Sequence, residues 1–132
     1  PFLKAVTAVT KEAGVPSHLH VCGRSRAIVD LACAETDLDI MEPLEREPGG
    51  DCDLAELKAL YGHRLVLKGN LNTFQLLAYG TVQEVRDEAR RCLDAAMEGG
   101  GFWLATGDQT PANAPEANLL AMIETAREHG RY

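Results

Sequence analysis

The stretch His18-Leu19-His20-Val21-Cys22-Gly23 decides how this chain is read. It follows an amphipathic segment and the breaker Gly14-Val15-Pro16, and the turn residues Gly23-Arg24-Ser25 close it. A short run between such punctuators reads as a buried strand that feeds a helix. Side chains alternate along a strand, so His18, His20 and Cys22 share one face, with Cys22 at the carboxyl end. An imidazole nitrogen and a thiolate sulfur in that arrangement can reach one zinc ion, whose bonds to them run roughly 2.0–2.3 Å. A lone His-x-Cys is equally well read as packing, because both residue types are commonly buried. The rest of the chain bears on the choice.

Upstream, Phe2, Ala5, Val6, Val9 and Ala13 recur at near-helical spacing until Gly14 stops them. Downstream, Arg26 to Ala34 reads as a helix with Ile28, Leu31 and Ala32 on one side. Leu38 to Pro43 is a second short strand that the proline ends, and residues 47–52 form a loop rich in breakers. Asp53-Leu54-Ala55-Glu56 starts a helix under a carboxylate cap, and that helix ends near Gly62. Arg64 to Asn70 is a third strand, almost continuously apolar, as a parallel strand covered on both faces should be. Thr81-Val82-Gln83-Glu84 is a capping box that opens a helix running to Met97. After Gly99-Gly100-Gly101, Phe102 to Thr106 forms a fourth strand and Asp108 to Ala114 a polar loop. Pro115 suits the first position of a last helix, whose buried face is Leu119, Leu120, Ile123 and Ala126.

A helix followed by four strand–helix units predicts parallel strands joined by right-handed crossovers. Four units in 132 residues are about 33 residues each, close to the roughly 31 of a ~250-residue barrel. The expected fold is therefore α/β: the C-terminal half of a (β/α)8 TIM barrel, four parallel βα units preceded by a helix. It occupies residues 1–132, with the N-terminal half absent. A flavodoxin-like open sheet is the competing arrangement. Half a barrel leaves two outer strands with unpaired backbone groups and barrel-facing side chains in water. The missing N-terminal half, a second copy of the chain, or flattening into an open sheet would each resolve that.

Composition limits the partners. The net charge of −7 argues against a nucleic-acid surface, which needs a basic patch. No apolar run approaches the ~20 residues that span a bilayer, and no signal peptide is read, so no membrane partner is expected. Cys22, Cys33, Cys52 and Cys92 show neither CxxC spacing nor a disulfide pattern, and a reducing cytoplasm is the expected compartment.

In barrels of this type the chemistry sits at the carboxyl ends of the strands. The polar residues expected there are His20, Cys22, Glu42, Asn70 and, just past the fourth strand, Asp108. Each has a plainer reading. Glu42 is also read as a solvated or ion-paired carboxylate, Asn70 as a turn residue beside Gly69, and Asp108 as the holder of its own loop. Cys33 and Cys92 fall within helices and read as packing, and Cys52 as a loop residue and spare ligand. His63 and His129 lie near helix ends, facing solvent. Together, four successive strands each finish with a ligand-type or hydrogen-bonding residue on one rim.

The order of motifs is itself informative. His18 to Gly23 is followed by Asp39-Ile40-Met41-Glu42-Pro43-Leu44-Glu45, Gly50-Asp51, Leu67-Lys68-Gly69-Asn70 and Gly80-Thr81-Val82-Gln83-Glu84-Val85. Gly99-Gly100-Gly101-Phe102-Trp103-Leu104, Thr106-Gly107-Asp108-Gln109 and Pro115-Glu116-Ala117-Asn118 complete the series. Across essentially the whole chain, this series resembles the C-terminal half of the uroporphyrinogen decarboxylase superfamily, which includes zinc-dependent cobalamin methyltransferases. The methyltransferase branch resembles the chain in His-x-Cys-Gly, which implies that His20 and Cys22 bind zinc. The third ligand in that branch is commonly a cysteine after a glycine in the last strand's loop, where this chain has Asp108 after Gly107. A carboxylate oxygen is an acceptable zinc ligand, so the resemblance implies a His20, Cys22, Asp108 site. The decarboxylases share the fold, usually carry a histidine at about the Asp108 position, need no metal, and take their substrate contacts mainly from the N-terminal half.

The implied activity is zinc-dependent transfer of a methyl group to or from a corrinoid carried by a partner protein, with a small-molecule substrate. Glu42 is then a further ligand or proton handler, and Asn70 orients the substrate. The alternatives are metal-free decarboxylation of a uroporphyrinogen-like tetrapyrrole, and an inactive fragment or assembly subunit. Half a barrel supplies half a rim, so no turnover is expected from these 132 residues alone.

Overall fold

The computed structural model describes residues 1–131. Its elements are α1 (Phe2–Glu12), β1 (His18–His20), α2 (Arg26–Glu35), β2 (Ile40–Glu42), α3 (Leu54–Tyr61) and β3 (Val66–Leu71). A π-helical segment (Thr73–Leu77), α4 (Val82–Ala96), β4 (Phe102–Thr106) and α5 (Glu116–His129) follow. The four strands form one parallel sheet in the order β1-β2-β3-β4. A flavodoxin-like sheet reverses its strand order at a switch point. Here each unit adds its strand beside the one before, as along the arc of a barrel.

The register explains the two faces. Leu19 pairs with Met41, Met41 with Leu67, and Leu67 with Phe102, which places one apolar row across the sheet. Met41 and Leu67 are fully buried, in one cluster with Val29 and Ala32 of α2, Leu54 and Leu57 of α3, and Val85, Ala89 and Cys92 of α4. The next residues along the strands point the other way, because strand side chains alternate. They are His20 opposite Glu42, and Lys68 opposite Trp103, whose side is half open to solvent. The third strand is thus covered by apolar packing on one face only, and Lys68 marks the other.

Helix starts follow the expected chemistry. Asp53 Oδ1 accepts from the Glu56 backbone N–H at 2.8 Å. Thr81 and Glu84 exchange the two bonds of a capping box, Glu84 N to Thr81 Oγ1 at 3.2 Å and Thr81 N to Glu84 Oε2 at 2.7 Å. The π-helical segment has no forewarning in the apolar spacing. Asn72 nucleates it, its side-chain oxygen accepting from the Gln75 N–H at 2.7 Å. Gly69 has φ +147°, and a Cβ there would stand 2.0 Å from the Pro43 carbonyl oxygen, so the strand can approach the preceding loop only without a side chain. Among the described residues no helix is long and apolar enough to cross a membrane.

Candidate metal centre

His20 ends β1, and the backbone pairing continues one step further, Val21 N donating to Glu42 O at 2.8 Å. That step carries Cys22 onto the rim beside the imidazole, with His20 Nε2 3.0 Å from Cys22 Sγ. Asp108 comes from the opposite edge of the sheet, in the loop after β4, and its Oδ1 lies 3.6 Å from His20 Nε2. One ligand atom from each of the three lies within 4.8 Å of the others. Tetrahedral zinc with bonds of roughly 2.0–2.3 Å sets its ligand atoms about 3.3–3.8 Å apart. The spacings of 3.0 Å and 3.6 Å lie near that range, and nitrogen, sulfur and oxygen are donors that zinc accepts. Three protein ligands leave a fourth position open. Asp108 also serves its own loop, since Oδ1 accepts from the Gln109 N–H at 2.7 Å and its carbonyl accepts from Thr106 Oγ1 at 2.8 Å.

Glu42 stands outside this group of three. Its Oε1 faces both histidines, at 3.2 Å from His20 Nδ1 and 3.3 Å from His18 Nε2, while Oε2 pairs with Lys68. Burial pushes the Glu42 carboxyl up, but hydrogen bonds from Lys68 and His20, with the charges of His18 and Lys68, outweigh it and hold the group below its ordinary value. The Cys22 thiol is pushed up, first by loss of water around it, then by the hydrogen bond and charge of Asp108 and the charge of Glu45. A divalent cation held there would favour the thiolate, because a coordinating thiol is deprotonated. His20, Glu42, Lys68, Asp108, Gln109 and Thr110 line a cavity of about 440 Å³ above the sheet.

Asn70 is placed elsewhere. It is 2% exposed, its Nδ2 donates to Leu44 O at 2.7 Å, and its Oδ1 accepts from Arg91 Nη2 at 3.2 Å and faces Cys92 Sγ at 3.4 Å. Both ends of the amide are engaged inside the fold, tying β3 to the β2 loop and α4, and no end is turned to the cavity. Cys52 is buried against Ser25, Cys92 is buried, and His63 is exposed.

Two residues at the site went unassigned in the sequence reading. Lys68 was signalled by its charge in the middle of an otherwise apolar strand. Glu45, whose side chain accepts from the Gly23 N–H and so pins the turn after Cys22, had no local signal, since only the fold brings the two loops together.

Residues 1–129 match the family described as Uroporphyrinogen decarboxylase (URO-D). A methylcobamide:CoM methyltransferase of Methanosarcina barkeri is 31% identical over 113 residues, covering 84% of this chain and 30% of that protein. One of Methanosarcina mazei is 28% identical over 137 aligned residues, covering 100% and 35%. A uroporphyrinogen decarboxylase of Azoarcus is 33% identical over 79 residues, covering 60% and 22%. A solved methyltransferase from Methanosarcina mazei superposes with a TM-score of 0.75 at 24% identity, over 98% of this chain and 36% of that one, and this likeness shows the barrel fold. The chain thus spans about a third or less of the length of these relatives. With the family match running over nearly every residue, the chain belongs to the uroporphyrinogen decarboxylase (URO-D) family.

Proposed function

We propose that this chain carries the metal-binding rim of a zinc-dependent methyltransferase that moves a methyl group to or from a corrinoid held by a partner protein. The observation that carries the reading is the meeting of His20, Cys22 and Asp108, from opposite edges of the sheet, within 4.8 Å. Methylcobamide:CoM methyltransferases among the relatives support the same class.

His20, Cys22 and Asp108 would hold the ion. Zinc there would supply Lewis acidity, able to lower the pKa of a thiol acceptor or to polarise a methyl-bearing oxygen or nitrogen. Glu42 holds the His20 ring so that Nε2 faces Cys22 and Asp108. The cavity of about 440 Å³ beside them has room for a small molecule, and Gln109 and Thr110 are among the residues that line it. Among the described residues no helix covers the sheet face that bears His20, Glu42 and Lys68, so a further barrel segment or a second copy of the chain would complete the pocket. Zinc analysis with a methyl-transfer assay on a methylated corrinoid, run on this chain together with the segments that complete its barrel, tests the reading. It expects stoichiometric zinc in the wild type, and loss of both zinc and transfer in His20→Ala; a metal-free wild type with His20→Ala fully active would refute it.

The Azoarcus decarboxylase among the relatives favours a second reading, release of carbon dioxide from a uroporphyrinogen-like tetrapyrrole without metal. Carbon dioxide evolved from a porphyrinogen by metal-stripped protein would select it.

A further inference from the structure

We infer that Lys68 is a positioning residue for the metal centre, acting through Glu42 on the His20 ring; the inference rests on the zinc reading above. The three residues sit on three adjacent strands, His20 on β1, Glu42 on β2 and Lys68 on β3. His20 is the register partner of Glu42, and Val66 and Leu67 pair with Ile40 and Met41, so Lys68 falls next to Glu42 in the same row. The contacts follow the row. Lys68 Nζ binds Glu42 Oε2, and Glu42 Oε1 faces His20 Nδ1 at 3.2 Å. On its other side the ammonium stands 6.0 Å from the ring centre of Trp103, its register partner on β4, which walls it toward Glu42.

A carboxylate on a flexible stem turns freely about its last bond unless both oxygens are engaged. Here His18 and His20 take one oxygen and Lys68 the other. An Nδ1–H donated to Glu42 leaves the Nε2 lone pair facing Cys22 and Asp108, the tautomer a metal requires. Lys68 lines the same cavity as Asp108 but pairs with Glu42 and makes no ion pair or hydrogen bond with Cys22 or Asp108, so its direct hold on the site runs through Glu42. Removing the ammonium releases Oε2, and with it the constraint that keeps Oε1 on the imidazole.

The test compares Lys68→Met, Lys68→Gln and Lys68→Arg with the wild type, each checked for its fold by circular dichroism. Ring-nitrogen NMR of metal-free protein reads the His20 tautomer, and chelator competition reads zinc affinity. Lys68→Met is expected to lose the single Nδ1–H tautomer and to bind zinc about 10-fold more weakly, as changes in outer-shell partners do. Lys68→Gln stands in if Lys68→Met does not fold, and Lys68→Arg should restore both readouts. An unchanged tautomer and zinc affinity in the folded neutral variants, or a loss that arginine does not recover, would overturn the inference. A wild type without zinc whose His20 tautomer still depends on Lys68 would instead sink the zinc reading and leave the positioning role in place.

Discussion

The Glu42 carboxylate stands 3.2 Å from His20 Nδ1, across one strand boundary and in register with it. That contact converts a common His-x-Cys pair into an oriented one, because a ring whose Nδ1–H is engaged presents Nε2 outward. Glu42→Ala is expected to weaken zinc binding by about 10- to 100-fold while leaving the three ligands in place. Chelator competition followed optically measures it, and an unchanged affinity would show that Glu42 does not orient the ring.

Asp108 stands where the resemblance to the methyltransferase branch implies a cysteine. Asp108→Ala should lose stoichiometric zinc. Asp108→Cys should keep it, since sulfur is as good a ligand as oxygen for this ion. Elemental analysis of the purified variants decides between the two, and zinc retained by Asp108→Ala would remove the residue from the site.

Leu67 and Lys68 are consecutive, yet one is fully buried among helices and the other faces the cavity. Leu67→Ala should cost about 2–5 kcal/mol of stability, the range for emptying a packed leucine site. Urea unfolding of folded chain checks this; a loss below about 1 kcal/mol would show that the helices collapse onto the gap.

Acid sensitivity should pass in part through Asp30. Its carboxylate accepts from Tyr61 Oη at 2.7 Å and from Arg26 Nε at 3.1 Å, and the tyrosine bond first, then the arginine, against the cost of partial burial, hold it below its ordinary value. A group depressed on folding adds stability above its unfolded pKa of about 3.9, and that stability is lost as pH falls through the folded value. Tyr61→Phe should therefore be less stable than wild type near neutrality, with the gap closing in acid. Thermal melts from pH 7 to pH 3 measure it, and a gap that widens in acid would contradict the sign.

The chain leaves apolar surface uncovered: Phe2, Val6 and Val9 form a stripe on α1, at 85%, 59% and 65% exposure. Together with two unpaired edge strands this should drive association of the 132-residue chain on its own, without turnover. Size-exclusion chromatography beside a methyl-transfer assay reads both, and an active monomer would refute the expectation.

Local sequence sufficed for much of this protein. The strand–helix alternation, the Thr81–Glu84 capping box and the Asp53 cap stand where the spacing predicts them, but two helix faces do not. α5 buries Asn118, Ala121 and Thr125 and exposes Leu120 and Ile123, and α2 buries Val29 beside Ala32 and exposes Ile28 and Leu31. The pairing of His20 with Cys22 was legible, being a two-residue spacing at a strand end. The π-helical segment was not, because Asn72 acts through a backbone bond that leaves no apolar period.

Which residues share the rim was a tertiary decision. Asp108 reaches His20 only because the loop after β4 returns to the opposite edge of the sheet, and Lys68 meets Glu42 only because β2 and β3 align in one register. Asn70, two residues beyond Lys68, ends in the interior instead, where β3, the β2 loop and α4 converge on its amide. Residue type and spacing determined which elements form and which side chains have ligand chemistry. Register and loop return, set by packing between segments far apart in the chain, decided which of those side chains meet.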